Sequence, residues 1–421
     1  MSHKQNGYSD LSCSLTKQLS KTEKKDMGIF FTPPMCVLSI LQKIKCYIDI
    51  GDNNQDKDKM RILEPSCGSG EFIEALSKTY TNAEITGIEL NRKIFDAIHE
   101  PFSNKTTALY NMDFLDYRED QSNNENGFDL IIGNPPFAVL KKKDVNKKYY
   151  PYFDGRPNIF VLFILKSIEL LKNDGILCFV LPKNFLNCIY YDKTRKYITE
   201  QCDIIDIYEC SGKYLETQQE TITIVIKKRT ATLCTSVQDK YVFNISGYTI
   251  FTTGNSNEIR SLYQSSSTLE NMGFKVSVGT VVWNQCKNIL TNDTSKTLLI
   301  YNSDFSKGNL NPKSYKNNDK KNYIQKDGVK NPVIALNRGY GKGPYTFDYC
   351  IIDLEKPYLL ENHVICVEYT GDDKTRNEII DMYTQLIQSF NNEKTKKFIA
   401  LYFGNNAINT TELNSILPIY L

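Results

Sequence analysis

At 421 residues, 41% hydrophobic and 24% charged, the chain has the composition of an ordinary globular protein and is long enough for two domains, each with its own core. A net charge of +2 excludes capture of nucleic acid by bulk charge, so such a partner must be held by a local patch. Twelve scattered cysteines with no CxxC pair and only three histidines argue against a zinc site or a disulfide framework. No run approaches the ~20 apolar residues of a membrane span, and Met1 to Lys25 lacks an apolar signal core, so the expected location is intracellular and off the membrane.

In chain order, residues 1–26 are rich in Ser, Lys, Gln and Asp without apolar periodicity, and are expected to be a flexible tail. The turn Gly28-Ile29-Phe30-Phe31-Thr32-Pro33-Pro34 then feeds a helix whose Val37, Leu38, Ile40, Leu41 and Ile44 recur at helical spacing. Read by itself, Thr32 is placed to cap that helix, with the two prolines near its first turn.

The next unit runs from the short strand Arg61 to Glu64 through Pro65-Ser66-Cys67-Gly68-Ser69-Gly70 into a helix over Phe72 to Thr79. Strand, glycine turn and helix N-terminus make the first βα unit of a nucleotide-binding sheet, where Gly68 and Gly70 let a ligand approach the backbone. The third glycine that a dinucleotide pyrophosphate requires is missing, which favours a ligand without phosphates. The following strand, Glu84 to Glu89, ends in an acid about twenty residues after the turn, where a carboxylate grips ribose hydroxyls. A third unit ends at Asp113 and Phe114, residues suited to hold and cover an adenine.

Then comes Asn134-Pro135-Pro136-Phe137, after the apolar run Phe128 to Ile132 and Gly133. The run reads as a buried strand. Two prolines fix their own φ and supply no N–H, so the turn presents acceptors and few donors. The Asn134 carboxamide oxygen beside the Pro135 carbonyl can accept both hydrogens of one exocyclic amino group, while Phe137 stacks on the heterocycle that carries it. The alternative is a proline-rich turn with an Asn that only caps it.

Taken in order, Phe31-Thr32-Pro33-Pro34, Leu63-Glu64-Pro65-Ser66-Cys67-Gly68-Ser69-Gly70, Gly87-Ile88-Glu89, Asp113-Phe114 and Asn134-Pro135-Pro136-Phe137 resemble the γ-type DNA adenine N6-methyltransferases of restriction-modification systems. The resemblance implies S-adenosylmethionine as cofactor. Thr32, Glu64, Pro65, Ser66 and Cys67 would lie around its methionine part, Glu89 on its ribose and Asp113 with Phe114 at its adenine, with Gly68, Gly70 and Pro136 completing the site. The implied fold is a Rossmann-like, mostly parallel, doubly wound α/β sheet over residues 27–230, then a mixed α/β target-recognition domain over 240–421. The likeness continues through Asn158-Ile159-Phe160, a helix to Leu171, a strand within Asp174 to Leu186, another over Ile204 to Cys210, and Thr221 to Ile226 as the closing one. Within Gly212 to Thr217, Tyr214 occupies the place of a second aromatic for the target base. The family more often has Phe-Pro there and Tyr where this chain has Phe137. Cys67 lies in the cofactor turn, so a cytosine-C5 mechanism through cysteine is not expected.

Lys141, Lys142 and Lys143 follow the tetrapeptide and read as phosphate contacts or as a solvated loop. In the second half, Trp283-Asn284-Gln285 and Asn337-Arg338 resemble parts of the recognition domain. Between Lys307 and Lys342 nine basic residues face only Asp319 and Asp327, interleaved with Tyr315, Tyr323 and Tyr340. Asn284, Gln285, Asn337 and Arg338 can make bidentate contacts to base edges. The expected reaction is methyl transfer to a flipped-out adenine of double-stranded DNA by a monomer that needs no metal, with a separate cognate endonuclease as a possible companion. The alternatives are a methyltransferase of RNA or protein glutamine, and a dead DNA-binding relative.

Overall fold

The computed structural model describes residues 7–48, 59–119, 127–210, 214, 219–230, 238–317, 319–338, 345–403 and 408–421. They form two compact units. Met1–Asn244 with Tyr248–Ser256 make the first, and Ile245–Gly247 with Asn257–Leu421 the second.

Within residues 1–26, expected to be a flexible tail, the chain instead forms α1 (Asp10–Gln18) and most of α2 (Lys21–Met27). Their signals are caps rather than apolar stripes. Ser9 accepts from the Ser12 amide, Ser20 and Glu23 close a capping box, and Gly28 ends α2 in the left-handed region at φ 65°. Tyr8, Leu15 and Leu19 anchor the pair in a small core with Phe31 and Ile94. Helix α3 (Pro34–Ile48) buries Val37, Ile40, Leu41 and Ile44. It starts one residue later than a Thr32 cap requires: the Pro33 carbonyl accepts from Cys36 and Val37, so Pro33 holds the cap position.

The sheet of the first unit contains β1 (Arg61–Glu64), β2 (Glu84–Glu89), β3 (Thr107–Asn111), β4 (Phe128–Gly133), β5 (Leu171–Pro182), β6 (Cys202–Glu209) and β7 (Thr221–Lys228) in the order 3-2-1-4-5-7-6. The first five are parallel and β7 runs antiparallel between β5 and β6. The last strand in sequence is therefore internal, which its run of six buried residues reflects. Side-chain alternation builds two layers. Leu63, Ile131, Leu177 and Phe179 pack with the predominantly apolar helix α6 (Ile159–Leu170). On the other face Ile62, Leu130, Ile132, Cys178 and Val180 share a core with α3, α4 (Glu71–Thr79) and α5 (Arg92–Phe102). This is a doubly wound α/β fold. Strand order reverses between β1 and β4, and in such sheets the crevice at the carboxyl ends of the reversing strands holds the ligand.

Beyond β7, Val242–Asn244 and Tyr248–Phe251 of the next strand pair still group with the first unit, so the division falls later than residues 230–240. Asp192 Oδ1 accepts from the Thr249 amide at 2.7 Å, Arg195 donates to the Thr249 carbonyl, and Phe251 is buried in the α6-side core.

The second unit holds two four-stranded sheets. One runs Phe274–Val278, Ile365–Tyr369, Val333–Leu336, Tyr349–Ile352, all antiparallel. The other runs Leu290–Thr291, Tyr323–Ile324, Thr297–Ile300, Tyr358–Leu360. The long helix is Arg376–Phe390, capped by Thr375 and Glu378, and Leu413, Ile416 and Leu417 are buried near the end of the chain.

Candidate active site

Strands β1, β2 and β4 deliver Glu64, Glu89 and Asn134 to the carboxyl edge of the sheet, β1 and β4 on the two sides of the reversal point. The turn after β1 is tied to its neighbours. The Cys67 amide donates to the Ile88 carbonyl at 2.9 Å, and the Gly68 amide to Glu89 Oε2 at 2.9 Å. The Asn91 amide donates to the other carboxylate oxygen at 2.7 Å. A carboxylate oxygen has more than one lone pair, so both contacts leave Glu89 able to accept hydroxyls. Burial raises the Glu89 carboxyl to about 7 against these amide contacts. Glu64 is buried too, its Oε2 has no hydrogen-bond partner, and burial with the nearby Glu89 charge drives its carboxyl well above the usual range. Two buried acids at one edge, one with an unpartnered oxygen, fit a cofactor that carries an ammonium and a sulfonium next to ribose hydroxyls.

The glycines serve packing here. At Gly87 an added Cβ would come within 2.6 Å of Cys67 Sγ, and at Gly70, at φ 80°, within 2.4 Å of the Phe102 ring. Gly68, at φ 51°, lies under the Phe31 ring. Cys67 is buried, and burial pushes its thiol far above the range of a nucleophile.

Asn134 is gripped from two sides. Its Nδ2 donates to the Phe30 carbonyl at 3.1 Å, and its own carbonyl accepts from Ser66 Oγ at 3.1 Å. Fixing Nδ2 fixes the opposite end of the amide. Asn134 Oδ1 is buried and has no hydrogen-bond partner. Pro135 is buried, and the half-buried Phe137 ring meets Phe160 edge-on at 5.9 Å. The Phe137 amide donates to the Gly28 carbonyl at 3.4 Å, and a Cβ on Gly28 would sit 2.5 Å from that nitrogen. The end of α2 is thus a buttress of the tetrapeptide.

Other contacts were not visible in the sequence. Ser12 of α1 lies 2.8 Å from Ser69 Oγ and 2.6 Å from Glu71 Oε1, which also accepts from Ser9. The buried Lys166, the one cation on the apolar helix α6, donates to the Tyr117 carbonyl and so pins the turn that follows Asp113. Leu90, 52% exposed directly after Glu89, presents an apolar side chain at the strand end, and Asn111 Nδ2 holds the Glu89 and Leu90 carbonyls.

The remaining sequence candidates are placed as follows. Thr32 is buried just before α3. Asp113 Oδ1 accepts from the Leu115 amide at 2.8 Å, and Phe114 is buried against Phe163, its ring engaged in the core. Tyr214 is half-buried with its hydroxyl 3.4 Å from Thr221 Oγ1; Gly212, Lys213 and Leu215 to Thr217 lie outside the described residues. Lys141, Lys142 and Lys143 are exposed. In the second unit Trp283–Gln285 form one turn of 3-10 helix with Asn284 and Gln285 exposed, as is Arg338. Asn337 is committed internally: Nδ2 donates to the Thr346 carbonyl, and Oδ1 accepts from the Asp348 amide and the Tyr345 hydroxyl. With Oδ1 accepting twice, the carboxamide does not offer the bidentate donor–acceptor edge that was expected to read a base. Tyr340 and Lys342 lie outside the described residues. Among the described residues no group of three His, Cys, Asp or Glu could hold a metal. No helix among them is long and apolar enough to cross a membrane.

Comparison with known proteins agrees with this geometry. Residues 13–215 match the model of the Eco57I restriction-modification methylase family. The chain is 27% identical over 419 residues to the type II methyltransferase M.CvrRI of Paramecium bursaria Chlorella virus XZ-6E, covering 98% of this chain and 99% of that protein. It is also 27% identical over 420 residues to modification methylase CviBIII of Paramecium bursaria Chlorella virus NC1A, covering 97% and 98%. In fold it resembles the protein of the DrdV–DNA complex solved by electron cryomicroscopy, with a TM-score of 0.55 at 12% identity over 94% of this chain and 57% of that one. The segment 13–215, with its doubly wound sheet and its paired acids at the carboxyl edge, is thus similar to the restriction-modification methylases, and the protein uses S-adenosylmethionine.

Proposed function

We propose that the chain is a site-specific DNA adenine N6-methyltransferase, the modification enzyme of a restriction-modification system, acting as a monomer on double-stranded DNA. The observation that carries the reading is the buried, unpartnered Asn134 Oδ1 beside Pro135, in an amide whose other end is fixed on Phe30. An unsatisfied buried acceptor costs stability and is retained where a ligand satisfies it. Bound S-adenosylmethionine would supply an electrophilic methyl group, with the S–CH3 bond broken to leave the thioether S-adenosylhomocysteine and the methylated amine shedding one proton to solvent. Asn134 Oδ1 and the Pro135 carbonyl accept the two hydrogens of the adenine amine, turn its lone pair toward that methyl, and stabilise the positive charge that develops on nitrogen.

Reaching the amine requires the base to leave the stack, at a few kcal/mol. Stacking on Phe137 and Tyr214, at about 1–3 kcal/mol for each ring, offsets that cost. Glu89 holds the ribose, Glu64 faces the cationic methionine end, and Asp113 with Leu90 borders the adenine. Exposed Lys141, Lys142 and Lys143 lie beside the turn, where they contact phosphates. Purified protein with labelled S-adenosylmethionine should label duplex DNA at adenine N6. Label confined to RNA, to a protein glutamine or to cytosine would refute the reading.

A further inference from the structure

Helix α3 meets the edge strand β6 through side chains that recur along both elements. Cys36 Sγ lies 3.1 Å from Cys210 Sγ, just past the end of β6. Lys43 Nζ stands 3.4 Å from the centroid of the Tyr208 ring, and the Tyr47 hydroxyl donates to Asp206 Oδ2 at 3.1 Å. Positions 36, 43 and 47 share one face of a helix, and 206, 208 and 210 one face of an extended strand. Three contacts in register therefore hold the two sulfurs together. Their surroundings differ. Cys36 is 3% exposed and donates to Cys210, which is only partly buried and also lies 3.0 Å from Thr223 Oγ1. The Cys36 donor, aided by the Thr223 and Thr221 hydroxyls against burial, brings the Cys210 thiol down to about 7, which makes it substantially thiolate at neutral pH. Burial instead pushes the thiols of Cys67, Cys178 and Cys202 up. A reachable thiolate with a second thiol in contact behind it is the arrangement in which oxidation ends at a disulfide.

We propose that Cys36 and Cys210 form a reversible oxidation site, closed to a disulfide by hydrogen peroxide, and that the bond slows methyl transfer by restraining the segment that carries Tyr214. The Cys210 thiolate attacks one peroxide oxygen, the O–O bond breaks, and hydroxide leaves as the sulfenic acid forms. The Cys36 sulfur then attacks the Cys210 sulfur, the S–O bond breaks, and the departing hydroxyl takes the Cys36 proton as water. Two electrons pass from the thiols to the peroxide, and a dithiol returns them. Closing 3.1 Å to a bond of about 2.05 Å draws the start of α3 and the end of β6 together by about 1 Å. Tyr214 follows Cys210 in the chain, and its hydroxyl lies 3.4 Å from the Thr221 oxygen that also serves the Cys210 sulfur. The effect on transfer rests on Tyr214 as the second stacking ring; formation of the bond does not.

The test treats the full chain with a small excess of hydrogen peroxide at neutral pH and reads mass, peptide map and methyl transfer. The protein should lose two hydrogens, with the peptides of Cys36 and Cys210 linked. Methyl transfer to duplex DNA should fall roughly tenfold or more in kcat/KM, the equivalent of one stacking ring, and return with dithiothreitol. Cys210→Ser and Cys36→Ala should each form no such link and keep their transfer rate under the same peroxide; either one removes the bond, so a variant that folds poorly is replaced by the other. The proposal is overturned if peroxide leaves both thiols free, links other cysteines, or carries Cys210 to the sulfinic acid without a link. It is equally overturned if the linked protein transfers methyl groups at the reduced rate, or if the two variants are inactivated as fast as the wild type. A reduced protein that methylates no DNA would refute the substrate reading, while the peptide map would still decide whether the bond forms.

Discussion

Replacing Gly28 by alanine tests whether the end of α2 sets the position of the Asn134–Phe137 turn. Two separate penalties are expected. Gly28 has φ 65°, and placing a Cβ in that region costs about 1–2 kcal/mol. The new Cβ would also stand 2.5 Å from the Phe137 nitrogen and 2.8 Å from its carbonyl carbon, backbone atoms that cannot rotate away. Ordinary contact begins near 3.4 Å, so the turn must retreat by roughly 0.9 Å. A displacement of about 1 Å at a reacting group can cost on the order of 100-fold in rate. Gly247 supplies the control: its φ is 78°, and nothing lies within 4 Å of an added Cβ. Both variants should lose stability, by about 2–4 °C in Tm per kcal/mol. Only Gly28→Ala should lose about 100-fold in kcat, measured with labelled cofactor on duplex DNA under saturating conditions, with cofactor affinity unchanged. Equal turnover in the two variants would refute the buttress.

Further outcomes follow from the same site. Because burial raises the Glu89 carboxyl from 4.5 to about 7, folding favours its protonated form. Its contribution to stability is therefore present below about pH 4.5 and lost as pH rises through about 7, so the Tm of the free protein should fall across that window. Ribose hydroxyls donate to the ionised form, so cofactor affinity should rise from pH 6 to 8, and calorimetric titration should show that step flattened in Glu89→Gln. Glu64 shifts in the same direction, which is why the variant is needed to assign the step. Ser12→Ala removes a buried hydroxyl between Ser69 and Glu71 and should cost about 1–3 kcal/mol while weakening cofactor binding. A variant with unchanged Tm and Kd would show that α1 does not support the cofactor turn. If about five lysines of the 307–342 region neutralise phosphates, log K for DNA should fall against log[salt] with a slope of roughly −4 to −5.

The parts of this site legible in the sequence are those written in contiguous residues. A strand, a glycine turn and an acid at the next strand end define the cofactor edge, and two prolines behind a buried strand define the acceptor turn, because local φ restriction and alternation dictate both. What could not be read depends on tertiary contact. The helices over 10–27 lack an apolar stripe, although Ser20-x-x-Glu23 and Gly28 signalled a start and a stop that polar composition obscured. Asn337 looked available because its partners, Tyr345, Thr346 and Asp348, come from the returning chain. Cys36 and Cys210 carried no motif; only folding brings their sulfurs together across 174 residues. The orphaned oxygen of Asn134 was likewise invisible, since the sequence could not show that Phe30 holds the other end of its amide.

Asn134→Ala, assayed for both cofactor binding and methyl transfer, tests the role of the acceptor turn most directly. Loss of the amide should leave the S-adenosylmethionine Kd within about twofold, since Glu64 and Glu89 remain, and reduce transfer to adenine by a factor on the order of 1,000. Transfer retained near the wild-type rate, or lost together with cofactor binding, would contradict the assignment of Asn134 as the acceptor that holds the target amine.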